Sequence, residues 1–275
     1  MLSAAAVPEP PGLSTGPRPL RYRSRLHLRI LGRLQVRDAY AVDFTPTAGK
    51  PRQLLAFLLL NAGELVRVED CISELWGATP PRSVNHTLQT YARTIRQALT
   101  RALPTERARL VTGQSCYRLV VEPDLLDAAV FERVSRLGMA AARAGDHHTA
   151  AALLTRALQD WGGEVLADVE SGPLAKASVV RLRETHRAAL EQRIDSDLHL
   201  GRHWDLVPEL ARRCAKHPTY ESLRAQHMLA LHRCGQDDAA IRVFEELKVI
   251  LADRFGIEPG PRVMSLYRAI RSGDT

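Results

Sequence analysis

The residue pattern changes character at Pro123. Before it, short bursts of alternating apolar residues flank helical stretches. After it, nearly all apolar residues recur with helical period and strand-like alternation all but vanishes. Compact units hold about 100–200 residues each, so a chain of 275 residues with such a break is predicted to form two of them. The expected layout is a Pro/Arg-rich tail over 1–24, a mixed α+β unit over 25–122 and an all-α unit over 123–275. The fold class is therefore mainly α with a small β component.

Within the first unit, Leu26, Leu28 and Ile30, then Leu34 and Val36, then Val42 and Phe44 alternate in short runs, with turn-like breaks near Gly32 and Asp38. These predict two or three short antiparallel strands. A helix over 51–62 follows, with Pro51 at its start and Gly63 past its end, and its LLAFLLL run is apolar all round, as a buried helix requires. A second helix is predicted over 68–76, ending at Gly77, and a third over 82–103. An apolar hairpin over 110–121 turns around 113–115. This order is that of a winged helix-turn-helix.

Charge is divided unequally between the units. Residues 1–122 carry 17 Lys+Arg against 9 Asp+Glu and residues 123–275 carry 21 against 22, so the whole net charge of +7 lies in the first unit. Such clustering points to a polyanion, of which nucleic acid is the simplest. The third helix sharpens this. At 100° per residue, Val84, Leu88, Tyr91, Ile95, Ala98 and Leu99 share one face, while Arg82, His86, Gln89, Thr90, Arg93, Arg96 and Gln97 occupy the other. No acidic residue occurs from Arg82 to Leu103. Solvated helix faces mix charge signs, whereas a face of Arg and amide groups suits the edges of guanine and adenine in a major groove. Gln89, Arg93 and Arg96 are the expected base readers, with Thr90 and Gln97 on the same face. Arg52, Arg82 and Thr87 are expected on phosphates, and Thr112 and Gln114 at the hairpin tip.

In the second unit three segments resemble one another: AGDHHTAAALLTRALQDW (144–161), LGRHWDLVPELARRCAKHP (200–218) and CGQDDAAIRVFEELKVIL (234–251). Gly201 and Gly235 are 34 residues apart, the period of tetratricopeptide helix pairs, although Gly145 lies 56 residues before Gly201. Stacked helix pairs are expected, because each pair has an apolar face its neighbour must cover.

Other chemistries find little support. No run approaches the roughly 18 apolar residues of a membrane span, and the proline-broken start lacks the basic region of a secretory signal. Cys71, Cys116, Cys214 and Cys234 form no C-x-x-C pair, which suits reduced thiols in a cytoplasmic, nucleoid-associated protein. His147 and His148, and His199 and His203, lack a third ligand fixed by the sequence, so no metal is expected. No phosphate loop, dinucleotide fingerprint or nucleophile elbow occurs, so neither cofactor nor catalysis is expected. Trp76, Trp161 and Cys71 read as packing residues.

The stretches KPRQLLAFLLLNAGELV (50–66), ISELWGATPP (72–81), TLQTYARTIRQAL (87–99), LVTGQSCYRLVV (110–121), FERVSRLGMAA (131–141), ALQDWGGEVLAD (157–168) and ADRFGIEPGPRVMSLYRAI (252–270) resemble, in unbroken order, the Streptomyces antibiotic regulatory protein family. These are actinobacterial activators with a response-regulator-type winged helix and a bacterial transcriptional activator domain. The resemblance implies that the third helix enters the major groove of double-stranded promoter DNA with the wing beside it, and that two protomers sit on direct repeats. It also implies recruitment of the RNA polymerase holoenzyme with its sigma factor, faced by the loop of Gly77, Ala78, Thr79, Pro80 and Pro81. The genes served would belong to an antibiotic cluster. The chain departs from the family pattern at Arg93–Thr94, where members often have Ser-Arg, and at Cys116, where a second wing glycine is common. Two alternatives stay open: a tetratricopeptide-type scaffold whose basic unit is incidental, and a repressor that blocks a promoter.

Overall fold

The computed structural model describes residues 27–103 and 106–273. The expected tail over 1–24 lies outside the described residues. Strands β1 (Leu28–Arg29) and β2 (Gln35–Val36) pair antiparallel. Helix α1 (Gly49–Leu60) comes next, with Leu54 to Leu59 all buried, as its all-round apolar run dictates. It starts two residues before Pro51. The first turn has free N–H groups, so a proline there removes no hydrogen bond. Strand β3 (Val66–Arg67) leads into α2 (Val68–Trp76), and α3 (Val84–Ala102) precedes the hairpin of β4 (Ala108–Thr112) and β5 (Cys116–Val121). The three strands order as β3-β5-β4, with Leu110 opposite Leu119. This is a winged helix-turn-helix. β3 goes beyond the strands the sequence predicts, because two residues carry no alternation.

After a 3-10 turn (Pro123–Leu125) the chain is helical: α4 (Asp127–Arg143), α5 (His147–Gln159), α6 (Pro173–His199), α7 (His203–Lys216), α8 (Glu221–Arg233), α9 (Asp237–Phe255) and α10 (Pro261–Ser272). Three turns repeat one cap. Gly145, Gly201 and Gly235 all take left-handed φ, at 80°, 77° and 73°. In each, the N–H of the next residue bonds back five positions: Asp146 to Ala141, Arg202 to Asp197 and Gln236 to Leu231, at 3.0, 3.0 and 2.9 Å. Only glycine accepts that φ without strain, so these glycines mark the helix-pair turns despite their uneven spacing. α5 packs on both α4 and α6, α8 on both α7 and α9, and α10 on α8 and α9, giving a tetratricopeptide-like region. No helix among the described residues is long and apolar enough to cross a membrane.

Packing does not stop at the change of pattern. One apolar core runs from Leu28 through Leu88, Leu119, Phe131 and Leu154 to Ala189, crossing from the winged helix into α4, α5 and α6. Two smaller cores serve the rest, one from Leu190 to Ala230 and one from Ala225 to Ile270. The segment between α5 and α6 straps onto the first sheet: the N–H groups of Gly162, Leu166 and Ala167 donate to the carbonyls of Leu31, Ile30 and Gly32 at 2.7, 3.0 and 3.0 Å. Trp161, beside this strap, meets Phe131 edge-on at 5.0 Å and lies 4.1 Å from the His186 ring.

Three carboxylates complete the join. Asp127, fully buried, accepts from the backbone N–H groups of Ile30, Leu31 and Ala128 at 2.8 to 3.1 Å. Burial pushes this acid up to about 6, although those bonds and the Arg29 guanidinium 3.8 Å away favour its charged form. Glu74 of α2 caps the start of α6, accepting from the N–H groups of Gly172, Leu174 and Ala175 at 2.6, 3.0 and 3.1 Å. A Cβ on Gly172 would stand 2.3 Å from the Glu74 carbonyl oxygen, so glycine is required there. Asp168 accepts from the Leu34 N–H at 2.8 Å and from the guanidinium of Arg52.

Candidate nucleic-acid interface

Helix α3 is held from one side only. Leu88, Ala92, Ile95, Ala98, Leu99 and Ala102 are buried, while Val84 and Tyr91 are half-buried. The Tyr91 ring stacks on Trp76 at 6.2 Å, fixing α3 against α2. The helix begins at Val84 rather than 82, because Arg82 and Ser83 form a turn closed by the Val84 N–H on the Pro81 carbonyl at 3.1 Å, with Ser83 as N-cap.

On the outer side Arg82, His86, Gln89, Thr90, Arg93 and Gln97 are all exposed. Among the described residues, no partner hydrogen-bonds or ion-pairs with the side chains of Gln89, Arg93 or Gln97. The threonines differ. Thr87 and Thr90 turn their hydroxyls back onto the carbonyls of Ser83 and His86, each at 3.1 Å. Each hydroxyl proton is thus used inside the helix, and its oxygen remains free to accept.

Arg96 stands apart from the other cations of this face. It is half-buried, its Nε donates to the Leu110 carbonyl at 3.1 Å, and its Nη2 donates to the Thr112 hydroxyl. It therefore joins α3 to the last residues of β4. Thr112 and Gln114 sit at the exposed wing tip, where the Gly113 N–H closes the turn on the Cys116 carbonyl at 2.8 Å. The structure places Arg52 elsewhere. Its guanidinium, 18% exposed, is held by Asp168 and by the Pro46 carbonyl at the join between the two regions. The loop from Gly77 to Pro81 is exposed along its length, braced by the Thr79 N–H on the Trp76 carbonyl at 3.2 Å.

Asn85, exposed at the first turn of α3, was absent from the expected set. Its spacing of four from Gln89 was the available signal. Burial pushes the Cys71 thiol up to about 12, in keeping with a packing role. His147 stacks on His199 at 4.1 Å, and among the described residues no three His, Cys, Asp or Glu side chains gather to hold a metal.

A basic winged helix joined to a tetratricopeptide-like region defines a class of bacterial transcriptional regulators, and comparison with known proteins narrows it. Residues 126–271 match the bacterial transcriptional activator domain family. The chain is 39% identical over 254 residues to the regulatory protein DnrI of Streptomyces peucetius, covering 90% of this chain and 93% of that one. It is 37% identical over 232 residues to the regulatory protein AfsR of Streptomyces coelicolor, covering 84% of this chain and 23% of AfsR. Its fold matches the structure of Mycobacterium tuberculosis EmbR in complex with a low-affinity phosphopeptide, at a TM-score of 0.82 and 28% identity over 91% of this chain and 66% of EmbR. The chain belongs to the Streptomyces antibiotic regulatory protein family of transcriptional regulators.

Proposed function

We propose that this regulator is a sequence-specific DNA-binding activator that recruits RNA polymerase to the promoters of a secondary-metabolite gene cluster. One observation carries the reading. The exposed face of α3 offers Gln89, Arg93 and Gln97 without partners among the described residues and without a carboxylate among them, beside a wing that extends the same surface. Such groups match base edges in a major groove. Arg82 takes a phosphate, as do Thr112 and Gln114 at the wing, whereas Thr87 spends its hydroxyl proton on the Ser83 carbonyl. Two copies bind direct repeats about one helical turn apart, and the Gly77–Pro81 loop meets the polymerase holoenzyme and its sigma factor.

Transcription reconstituted with polymerase holoenzyme, on promoters from the gene's own neighbourhood, tests this directly. Added protein should raise transcript yield and protect two segments one turn apart from cleavage. A fall in yield from the same protected segments would make it a repressor instead. No protection on any of these promoters, with a partner captured only through residues 123–275, would make it a scaffold.

A further inference from the structure

The outer surface of α3 holds two kinds of cation, and the structure separates them. Arg93 is exposed with no hydrogen-bond or ion-pair partner among the described residues. Arg96, three residues on, is half-buried and commits two nitrogens to β4, one to the Leu110 carbonyl at 3.1 Å and one to the Thr112 hydroxyl. A guanidinium reads guanine by aiming two parallel donors at O6 and N7. With its Nε–Nη2 edge held on β4 and its side chain half-buried, Arg96 spends one of its two forks inside the molecule and is turned toward the wing rather than outward. The residues that do keep their donors free form a ridge: Gln89, Arg93 and Gln97 follow at intervals of four, and His86 lies one turn before Gln89.

We infer that Arg96 is a positioning residue that struts the wing against α3, and that base identity is read by Gln89, Arg93 and Gln97 with His86 at the leading end. The inference rests on the reading of α3 as a recognition helix. The chemistry of the ridge sets the half-site. Arg93 pairs with one guanine, and the amides flanking it pair with adenines on either side. Residues four apart are about 6 Å apart along the helix, close to two base-pair steps of about 3.4 Å, so the three bases fall within about five consecutive pairs. The strut holds the Thr112–Gln114 tip at a fixed distance from the ridge, which keeps wing and ridge in register on one duplex.

The test uses the full chain and a duplex library with a randomised core. Selection with the wild-type protein yields a preferred duplex, and anisotropy titrations on its single-base-pair variants then give a preference at every position. Arg93→Ala should lose about 5- to 150-fold discrimination at one G·C pair and little elsewhere. Arg96→Ala should weaken binding to all duplexes by a similar factor, reduce the salt slope as the wing phosphates are lost, and leave every base preference in place. Thr112→Val removes the same strut from the other end, so it should reproduce that pattern and add little to Arg96→Ala in the double variant. Arg96→Lys retains one donor and should recover part of the affinity. Melting curves for each variant show that the fold is kept. If Arg96→Ala erases the preference at one particular base pair while Thr112→Val leaves it, Arg96 is a reader and the inference fails. A wild-type protein that selects no sequence from the library overturns the recognition-helix reading itself, a different outcome from either.

Discussion

The join between the winged helix and the helical region contrasts with the outer face of α3. At the join, Asp127, Glu74 and Asp168 each receive backbone N–H groups from the other side of the sequence break, and Arg52 is held by one of them. On α3, Gln89, Arg93 and Gln97 have no such partners among the described residues. Both places are rich in polar groups. Those at the join are satisfied within the molecule and serve its architecture; Gln89, Arg93 and Gln97 on α3 have no such use among the described residues. The contrast also explains why two regions with different residue patterns share one core: the carboxylates satisfy the backbone that the join buries.

The largest expected effect is at Asp127. Asp127→Ala leaves the N–H groups of Ile30 and Leu31 buried without their acceptor, and should lower unfolding free energy by about 3–5 kcal/mol in urea denaturation. A loss below about 1 kcal/mol would mean the join is not held this way. Glu74→Ala uncaps α6 and should cost about 2 kcal/mol. Hydrogen exchange should then quicken first at the amides of Gly172, Leu174 and Ala175, and unchanged protection there would break the comparison.

Stability should also rise with pH between about 4.5 and 6.5. Burial, aided by Arg213, holds His186 down to about 4, and burial with Arg224 does the same for His227. In that window the unfolded chain binds up to two protons that the folded chain does not. Asp127, pushed up to about 6, works the other way, since the folded chain keeps a proton there that the unfolded chain has lost. The balance is about one extra proton on the unfolded side, so stability should gain roughly 1 kcal/mol per pH unit. Asp127→Asn should steepen that slope, because it removes the opposing group. The smallest effect expected is on DNA binding by Arg52→Ala. A residue of the join should leave the salt slope unchanged, whereas a phosphate contact would lower it by about one.

Much of this was legible in the residues. The limits of α2, the apolar stripe of α3 and the hairpin over 110–121 follow from local periodicity and turn residues, and the structure shows them with small shifts. Gly201 and Gly235 gave the helix-pair turn, and Gly145 performs the same turn although its spacing looked irregular. The intervening strap and the 27-residue α6 account for that spacing. What stayed hidden was long-range. Nothing local marks Glu74 as the cap of a helix that starts about a hundred residues later, or Asp127 as the acceptor for the Ile30 and Leu31 N–H groups just after β1. Arg52 and Arg96 looked like free cations because a sequence does not show which carboxylate or carbonyl will fold against them.

DNA reading is the role proposed for the exposed Gln89, Arg93 and Gln97 of α3. Anisotropy titrations of the full chain on duplexes from its own gene neighbourhood, with scrambled duplexes as competitors across a salt series, test it most directly when wild type and Arg93→Ala are run side by side. The wild-type protein should prefer one promoter by about a thousandfold or more, with a steep salt slope. Arg93→Ala should lose a large part of that preference while melting at an unchanged temperature. Equal, salt-labile binding of wild type to every duplex, or an Arg93→Ala variant that keeps its full preference, would contradict the account.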